Sequence, residues 1–457
     1  VDWPGLCGPD RAGRIVYEKE LMQDSGNNKQ EKVDAYLQAL KQDLREHERL
    51  KLLLYIAGTI SREMQLERLL KLIMDEVKHV LQCDLCSVFI LDRERNELWS
   101  HNEHGEEQIR FSADKGIAGH VVTTGRVLNI PDAYADERFN PHIDRRTGYR
   151  TQNILAAPMR NRMGEIIGVF QSINKFYGPF TREDEELLDA ISAIAATQIE
   201  NAQLYELQKK TFNSLVETLA TTIDARDPLT AGHSKRIALY AEELARVLHR
   251  SDQEREILRI SALLHDYGKI AVRESVLTKD GRLTDEEFRH IQNHSEFTRT
   301  ILEKINFAKE YEQVPLIAAS HHERVDGTGY PSGLTDEQIP PLSKILAVAD
   351  VFDALTSKRH YRNRMEFAEV MEILSAGAGS HFDPQYVNAF TQIKLDRLMR
   401  ILEEEHLDLV DEEDLTFLGQ FDSVDLLRES VPARPTERLA KVFFHYYHHD
   451  YLNGKKE

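Results

Sequence analysis

His321-His322-Glu323-Arg324-Val325-Asp326-Gly327-Thr328-Gly329-Tyr330-Pro331 decides how the second half of this chain is read. Two adjacent histidines close an expected helix, Val314 to Glu323, and a Gly/Pro loop follows at once. Glycine lets backbone approach closely, and proline fixes a turn. Upstream, His265-Asp266-Tyr267-Gly268-Lys269 ends an apolar helix carrying Ile257, Ile260, Leu263 and Leu264. His233 follows Thr230-Ala231-Gly232 at a helix start, and His294 falls inside a helical stretch. Asp350 sits in the apolar run Ala347-Val348-Ala349-Asp350-Val351-Phe352-Asp353, which predicts burial. A buried, unpaired carboxylate is costly, and a metal ion is a suitable partner for it. Each residue alone has a bland reading, as an accident of composition or a hydrogen-bonded core side chain. Together they point to a metal-dependent hydrolase. His381, before Phe382-Asp383-Pro384, reads as structural.

Around these residues the pattern is helical and shows no strand alternation. Helices are expected over Gly232–His249, Ser251–Tyr267, Thr284–Ile305, Val314–Glu323, Leu342–Ser357, Phe367–Gly377 and Pro384–Arg400, with a capping box at Thr284-x-x-Glu287. The chain beyond Ile401 is acidic, then aromatic and His-rich over Phe443-Phe444-His445-Tyr446-Tyr447-His448-His449. A metal or partner site is one reading of that end, and a terminal amphipathic helix is the other.

The first half alternates helix and strand. Lys29 to Arg49 predicts an amphipathic lead-in helix and Leu66 to Leu81 a second one. Strands are expected at Leu85–Asp92, Glu107–Phe111, Arg126–Ile130, Asn153–Met159 and Glu165–Asn174. A long helix starts near Thr181 and runs to Asp227-Pro228, which breaks it. Leu188, Ile191, Ala195, Ala202, Tyr205, Phe212, Val216 and Leu219 follow three- and four-residue steps along it, with Gln198 and Lys209 interrupting. This heptad-like ladder suggests a homodimer through the linker helix, or one helix packed on its own domains.

The chain has 457 residues, enough for two or three domains, and 41% hydrophobic residues supply their cores. A net charge of −19 argues against non-specific nucleic-acid binding, so a phosphate substrate needs local positive charge. The longest apolar run, Leu52 to Ile60, is too short to span a bilayer, so no membrane segment is expected in this chain. Three cysteines make no disulfide framework and fit a cytoplasmic protein. Cys83-x-x-Cys86 has metal or redox spacing, but without a second pair it reads as two small buried hydrophobes.

His265-Asp266-x-Gly268-Lys269 with His321-His322-Glu323-x-x-Asp326-Gly327-x-Gly329-Tyr330-Pro331 resembles the signature of the HD-GYP phosphodiesterases. Gly116-Ile117-Ala118-Gly119, Asn129-Ile130-Pro131-Asp132 and Asp136-x-Arg138-Phe139 resemble a GAF domain. Asn174, Lys175, Phe180, Asp184 and Glu185 resemble the signature of cyclic-nucleotide-binding GAF domains, with either a ligand or a structural role. The implied fold is α+β and multidomain, with a GAF sensor joined by a long helix to an all-α HD-type bundle. The expected parts are a lead-in (1–50), GAF domain (51–203), linker helix (204–226), HD-GYP domain (227–405) and C-terminal extension of unknown role (406–457).

The HD-GYP resemblance implies two divalent metal ions, iron or manganese, with Asp266 between them. His233, His265 and Asp350 would complete one shell, and His294, His321 and His322 the other. Imidazole-rich ligation suits such metals better than magnesium. Where three-metal relatives carry Glu, Leu229 stands here, which favours two ions. Asp266 and Lys269 would be catalytic, Lys269 on the scissile phosphate. Arg359 and Arg362 would contact phosphate and guanine. Asp326 and Tyr330 would line the substrate pocket, and Asp353 would lie behind the ligands or against a base. The implied activity is hydrolysis of cyclic di-GMP to pGpG, and further to GMP. Two alternatives stay open: another substrate, such as 3′,3′-cyclic GMP-AMP, or a slow-turnover cyclic-dinucleotide receptor. Cyclic AMP or cyclic GMP is the implied GAF effector.

Overall fold

The computed structural model describes residues 28–101, 108–226, 232–279, 281–357, 364–427 and 436–448. The expectations for Cys7, Leu229, Arg359 and Arg362 fall outside the described residues. The chain divides into two compact units, 1–210 and 211–457.

The first unit is built on a six-stranded antiparallel sheet. Its strands are β1 (Cys83–Asp92), β2 (Glu97–His101), β3 (Gln108–Ser112), β4 (Leu128–Ile130), β5 (Ile154–Arg160) and β6 (Ile166–Lys175), in the order β3-β2-β1-β6-β5-β4. Successive residues of a strand face opposite sides, so the central strands feed two cores. Cys86, Val88, Ile90, Leu155, Ala157 and Phe170 pack against α2 (Leu66–Leu81), together with α1 (Asn28–Ile60) and the long helix α5 (Arg182–Arg226). Phe89, Ile154, Ala156 and Val169 pack on the other face with Ile117, Ala118 and Val121 of α3 (Gly116–Thr124). A short α4 (His142–Thr147) lies between β4 and β5.

The lead-in helix and the apolar run after it form one continuous helix, longer than the sequence suggested, because Ile56 and Ile60 are buried in the domain's core. β1 begins at Cys83, not Leu85. Both of its cysteines are free and buried, and burial pushes both thiols up.

Helix α5 has 45 residues, about 67 Å of unbroken helix. Its heptad-like ladder divides by burial. Leu188, Ile191, Ala195 and Ala202 are in the first unit's core, and Val216 is in the second unit's core with Ala220, with Ile223 also buried. The large apolar side chains that α5 shows to solvent, Leu204, Tyr205, Leu207 and Leu215, lie in its middle. Most of the ladder therefore packs within its own domains.

The second unit is helical: α6 (His233–Val247), α7 (Asp252–Leu264), α8 (Glu274–Leu277), α9 (Asp285–Gln292), α10 (His294–Leu302), α11 (Val314–Ala319), α12 (Pro341–Thr356), α13 (Phe367–Ala376), α14 (Pro384–Thr391), α15 (Leu395–Leu402), α16 (Glu412–Leu418), α17 (Ser423–Leu427) and α18 (Thr436–Tyr447). Two expected helices are each split. Thr284–Ile305 breaks at Asn293, and Pro384–Arg400 breaks before Leu395, whose N–H donates to Phe421 O. At Leu395 this tertiary partner outweighs helix propensity. Described residues beyond 405 pack into this core. Leu415, Leu418, Phe443 and Tyr447 are buried in it, and each such side chain contributes about 1.5–3 kcal/mol. Fully buried Glu403 pairs with Arg364, whose guanidinium also donates to Tyr447 O and Leu402 O. Among the described residues no helix is long and apolar enough to cross a membrane.

Candidate metal centre

The last carbonyls of a helix have no partner inside it. Three histidines exploit this in one way. His265 Nδ1 donates to Ala262 O at the end of α7, His294 Nδ1 to Ile291 O in the last turn of α9, and His321 Nδ1 to Ala318 O at the end of α11, at 2.7, 2.7 and 2.6 Å. His233, the first residue of α6, instead donates Nδ1 to Asp353 Oδ2 at 2.7 Å. Anchoring Nδ1–H fixes the ring and turns Nε2 towards the site, which is how metal-binding imidazoles are oriented. The break at Asn293 matters here. It puts His294 at a helix start, where its ring can reach back to the preceding turn.

The four Nε2 atoms converge on two carboxylates. Asp266 Oδ1 lies 3.3 Å from His294 Nε2, while its Oδ2 lies 3.3 Å from His265 Nε2 and 4.0 Å from His233 Nε2. Asp350, in the middle of α12, places Oδ1 3.3 Å from His233 Nε2. Two triads result, His233–His265–Asp350 and His294–His321–His322. A third group, His265–Asp266–His321, joins them. In each, the ligand atoms lie within 4.8 Å of one another. All seven residues singled out in the sequence are thus brought together, with Asp266 turning one oxygen towards each triad.

A metal fits this donor set on the structure's own terms. His265 Nε2 is buried and makes no hydrogen bond. Such an orphaned atom costs about 1–3 kcal/mol unless something occupies its lone pair. Burial pushes His294, His321 and His322 down, His322 to about 3, so these rings are neutral ligands at neutral pH. Burial opposes charge on His233 too, but Asp350 and Asp353 outweigh it and raise it to about 10. Burial opposes charge on Asp266 and Asp350, yet Lys269 and His265 hold the first, and His233 the second, well below the usual carboxylate range.

These shifts give a pH prediction for metal-free protein. The depressed histidines stabilise the fold above their unfolded value of about 6.5, and this is lost as pH falls towards about 3. His233, shifted the other way, contributes its stability below 6.5 and loses it only as pH rises through about 10. We expect the apo melting temperature to drop by several degrees between pH 6.5 and 4. The drop should shrink in His322→Gln. An unchanged slope in that variant would refute the assignment of the titration to this cluster.

Lys269 Nζ lies 2.8 Å from Asp266 Oδ2. It sits on a 3₁₀ turn, Tyr267–Ala271, packed so tightly on α10 that a Cβ on Gly268 would stand 1.9 Å from His294 O. Thr298 Oγ1 ties the two together, donating to His265 O and accepting from Gly268 N–H. The second loop folds back over the histidines. Tyr330 N–H donates to His322 O, and the Tyr330 ring lies 4.7 Å from the His322 ring. A Cβ on Gly329 would stand 2.4 Å from Arg324 N, so only glycine passes there. Asp326 spends its oxygens inside the loop, on Thr328 and Arg324. His381 stacks on Phe382 and belongs to none of the three groups.

Of the two places expected for Asp353, behind the ligands or against a base, the contacts favour the first. Asp353 is 1% exposed, and its oxygens are taken by His233, Arg236 and Ser357. It supports His233 and presents nothing to a substrate. Sequence reading also missed Arg236, which carried a signal in being one helical turn after His233 on α6. Glu323 was missed too. It is 2% exposed and clamps the loop by accepting from Ser332 N–H at 2.7 Å and Leu334 N–H at 2.8 Å.

In the first unit, the five GAF-signature residues hold one another and their neighbours. Lys175 and Asp184 form a half-sheltered ion pair joining the end of β6 to the start of α5, and Asp184 also accepts from Thr181 N–H. Asn129 Nδ2 donates to Phe180 O and Glu185 Oε1. Asn174 accepts from Gln152 N–H and donates to Arg150 O. Their polar groups fasten the fold.

Comparison with known families matches residues 65–199 to the GAF domain and 217–386 to the HD domain. The chain joins a GAF domain to an HD domain. Its relatives include a Vibrio cholerae protein named 3′,3′-cGAMP-specific phosphodiesterase 3, 36% identical over 44% of this chain and 42% of that one. A probable cyclic di-GMP phosphodiesterase of the same organism is 37% identical over 39% of this chain and 43% of its own length. A Xanthomonas campestris cyclic di-GMP phosphodiesterase response regulator is 39% identical over 41% of this chain and 49% of its own. The chain thus spans less than half the length of each. Among solved structures, the GAF domain of a Coxiella burnetii phosphoenolpyruvate-protein phosphotransferase aligns with a TM-score of 0.32 and 22% identity, over 35% of this chain and 96% of that one. An HD domain of this composition binds divalent metal.

Proposed function

We propose that the HD domain hydrolyses a cyclic dinucleotide, cyclic di-GMP first, breaking one phosphorus–O3′ bond and forming one to the oxygen of water, so that pGpG is released and then cut to GMP. The observation that carries this is Asp266, with one oxygen towards each histidine triad. Two ions, iron or manganese, bound by His233, His265, Asp350, His294, His321 and His322 with Asp266 between them, would lower the pKa of water and neutralise phosphate charge. The chain's own groups do the rest. The Nδ1 bonds to helix carbonyls and Asp353 keep the rings oriented. Lys269 offers an ammonium to the scissile phosphate, and Tyr330 and the loop around Asp326 wall the site. Arg359 and Arg362 would supply guanidinium forks to phosphate and guanine. The second reading, 3′,3′-cyclic GMP-AMP as substrate, is favoured by relatives named for it at similar identity. Anaerobically purified protein with its metals counted, given each dinucleotide separately, tests both. Product from neither, with two metals bound, would leave the slow-turnover receptor reading.

Lys269→Ala should slow turnover about a hundredfold, the usual cost of one donor to developing charge, while metal content stays at wild type. Loss of metal in that variant would mean that Lys269 serves Asp266 and not the phosphate.

The GAF domain is the sensor in this reading, with cyclic AMP or cyclic GMP as effector, and the protein is a cytoplasmic homodimer through the exposed middle of α5. The ligand would be held apart from the five signature side chains, whose polar groups are already engaged. A ligand can shift a two-state helix only by its differential affinity for the two states. Either nucleotide should therefore change turnover of the full chain. Calorimetry showing no binding of both would remove the effector, and a monomeric mass in solution would remove the dimer.

A further inference from the structure

Helix α6 begins with a metal ligand, His233, yet its N-cap is Gly232, with φ +69° and no side chain to offer. The first N–H groups of a helix need an acceptor, and Ser, Thr, Asp or Asn usually supplies it from the N-cap position. Here a carboxylate arrives from another helix. Asp224, in the last turn of α5, accepts from Ser234 Oγ at 2.7 Å, and Ser234 is 1% exposed. Burial pushes the Asp224 carboxyl up, and the Ser234 hydroxyl, the charges of His233 and His265 and the Ser234 main-chain N–H pull it down. A carboxylate at this end of α6 is also favoured by the helix dipole.

The same turn of α5 makes a second tie. Arg226 Nη2 donates to Val272 O at 2.8 Å, at the end of the 3₁₀ turn that carries Lys269. Two bonds from one helical turn thus reach the segments bearing His233 and Lys269. One face of α5 here is packed by Val216, Ala220 and Ile223. Beside it lies a cavity of about 620 Å³, walled by Glu217, Thr221, Ala225, Lys235, Leu239 and Leu263. Small side chains and open volume next to the cap leave this turn room to shift.

We propose that Asp224 is a positioning residue: it caps α6 from the long helix and thereby sets where His233 stands in the metal site. This rests on the metal reading of the site and deepens it, because the helix that leaves the GAF domain would hold a metal ligand in place directly. Asp224 touches neither substrate nor metal and acts only through Ser234 and the first turn of α6.

The test uses the full-length chain, with Mn²⁺ alone as probe and two readouts. Metal titration should show Asp224→Ala and Ser234→Ala each weakening Mn²⁺ binding about 10- to 100-fold, the usual cost of losing a residue that orients a ligand. The double variant should bind no more weakly than Asp224→Ala alone, since the hydroxyl bond that Ser234→Ala removes is one that Asp224→Ala removes as well. Asp224→Asn keeps an acceptor oxygen and should recover most of the affinity. Independently of metal, amide exchange in the first turn of α6, Ser234 to Ile237, should accelerate at least tenfold in Asp224→Ala while the core amides of α7 hold. Unchanged first-turn exchange would overturn the cap. Faster exchange with Mn²⁺ affinity within twofold of wild type would overturn the positioning of His233. Additive losses in the double variant would also overturn it. If wild type itself binds no Mn²⁺, the metal reading fails, and the exchange result still decides the cap.

Discussion

Asp266→Ala is expected to leave a folded protein with less than one metal ion per chain and turnover lowered on the order of a thousandfold or more. The reason is geometric. Among the described residues, Asp266 is the one carboxylate whose two oxygens lie against both groups of histidines, Oδ1 beside His294 and Oδ2 beside His265 and His233. Any other ligand, once removed, leaves one triad whole. Asp266 is also the counter-charge for Lys269 at 2.8 Å, so its loss turns a balanced cluster into a cationic one that repels divalent metal. Elemental analysis of metal per chain, beside a cyclic dinucleotide assay, measures both effects. Full metal occupancy with normal turnover would remove Asp266 from the centre of the site. His322→Gln is the useful contrast. It weakens one triad only, so partial metal content and partial activity are expected.

The site was legible in sequence to an unusual degree because its residues come as tight pairs at helix ends. His265-Asp266 and His321-His322 each follow an apolar helical run, and the chain has to turn there. What the sequence could not give was the way each histidine is held. The Nδ1 bonds to Ala262, Ile291 and Ala318 are main-chain contacts, and main-chain carbonyls leave no trace in residue identity. Thr298, and the role of Glu323 within its motif, were invisible for a related reason: both bind backbone, from a helix and from beside a loop. The split of Thr284–Ile305 escaped because no Gly or Pro marks it. Asn293 keeps helical torsions, and only the register changes. The heptad ladder on α5 left its partner open. Three- and four-residue spacing reports an apolar stripe but not its partner, and here the two ends of the stripe face two different cores. The GAF signature likewise reports a fold-holding network as readily as a ligand site.

Asp353→Ala should cost about 3–5 kcal/mol of stability and a further 10- to 100-fold in metal affinity, although the residue touches neither metal nor substrate. Asp353 is the acceptor for His233 Nδ1 at 2.7 Å and for Arg236 Nε at 2.7 Å, and its remaining contact is the Ser357 hydroxyl. Truncation takes the carboxylate from a guanidinium whose side chain is only 19% exposed and frees the His233 ring to rotate away from Asp350. Burial pushes the Asp353 carboxyl up, but His233 and Arg236 outweigh it and hold it below its ordinary value. By linkage, its contribution is complete above an unfolded value of about 3.9 and is lost as pH falls through the lower folded one. The effect of Asp353→Ala should therefore be full at pH 7 and should fade only in strong acid. Asp353→Asn separates charge from shape. One amide oxygen can accept from His233 or from Arg236, not both with the strength of a carboxylate, so an intermediate loss is expected. Thermal melts of the metal-free chain and Mn²⁺ titration of the same variants measure the two losses independently. A melting temperature within two degrees of wild type, with unaltered Mn²⁺ affinity, would mean that Arg236 and His233 are held by something other than Asp353.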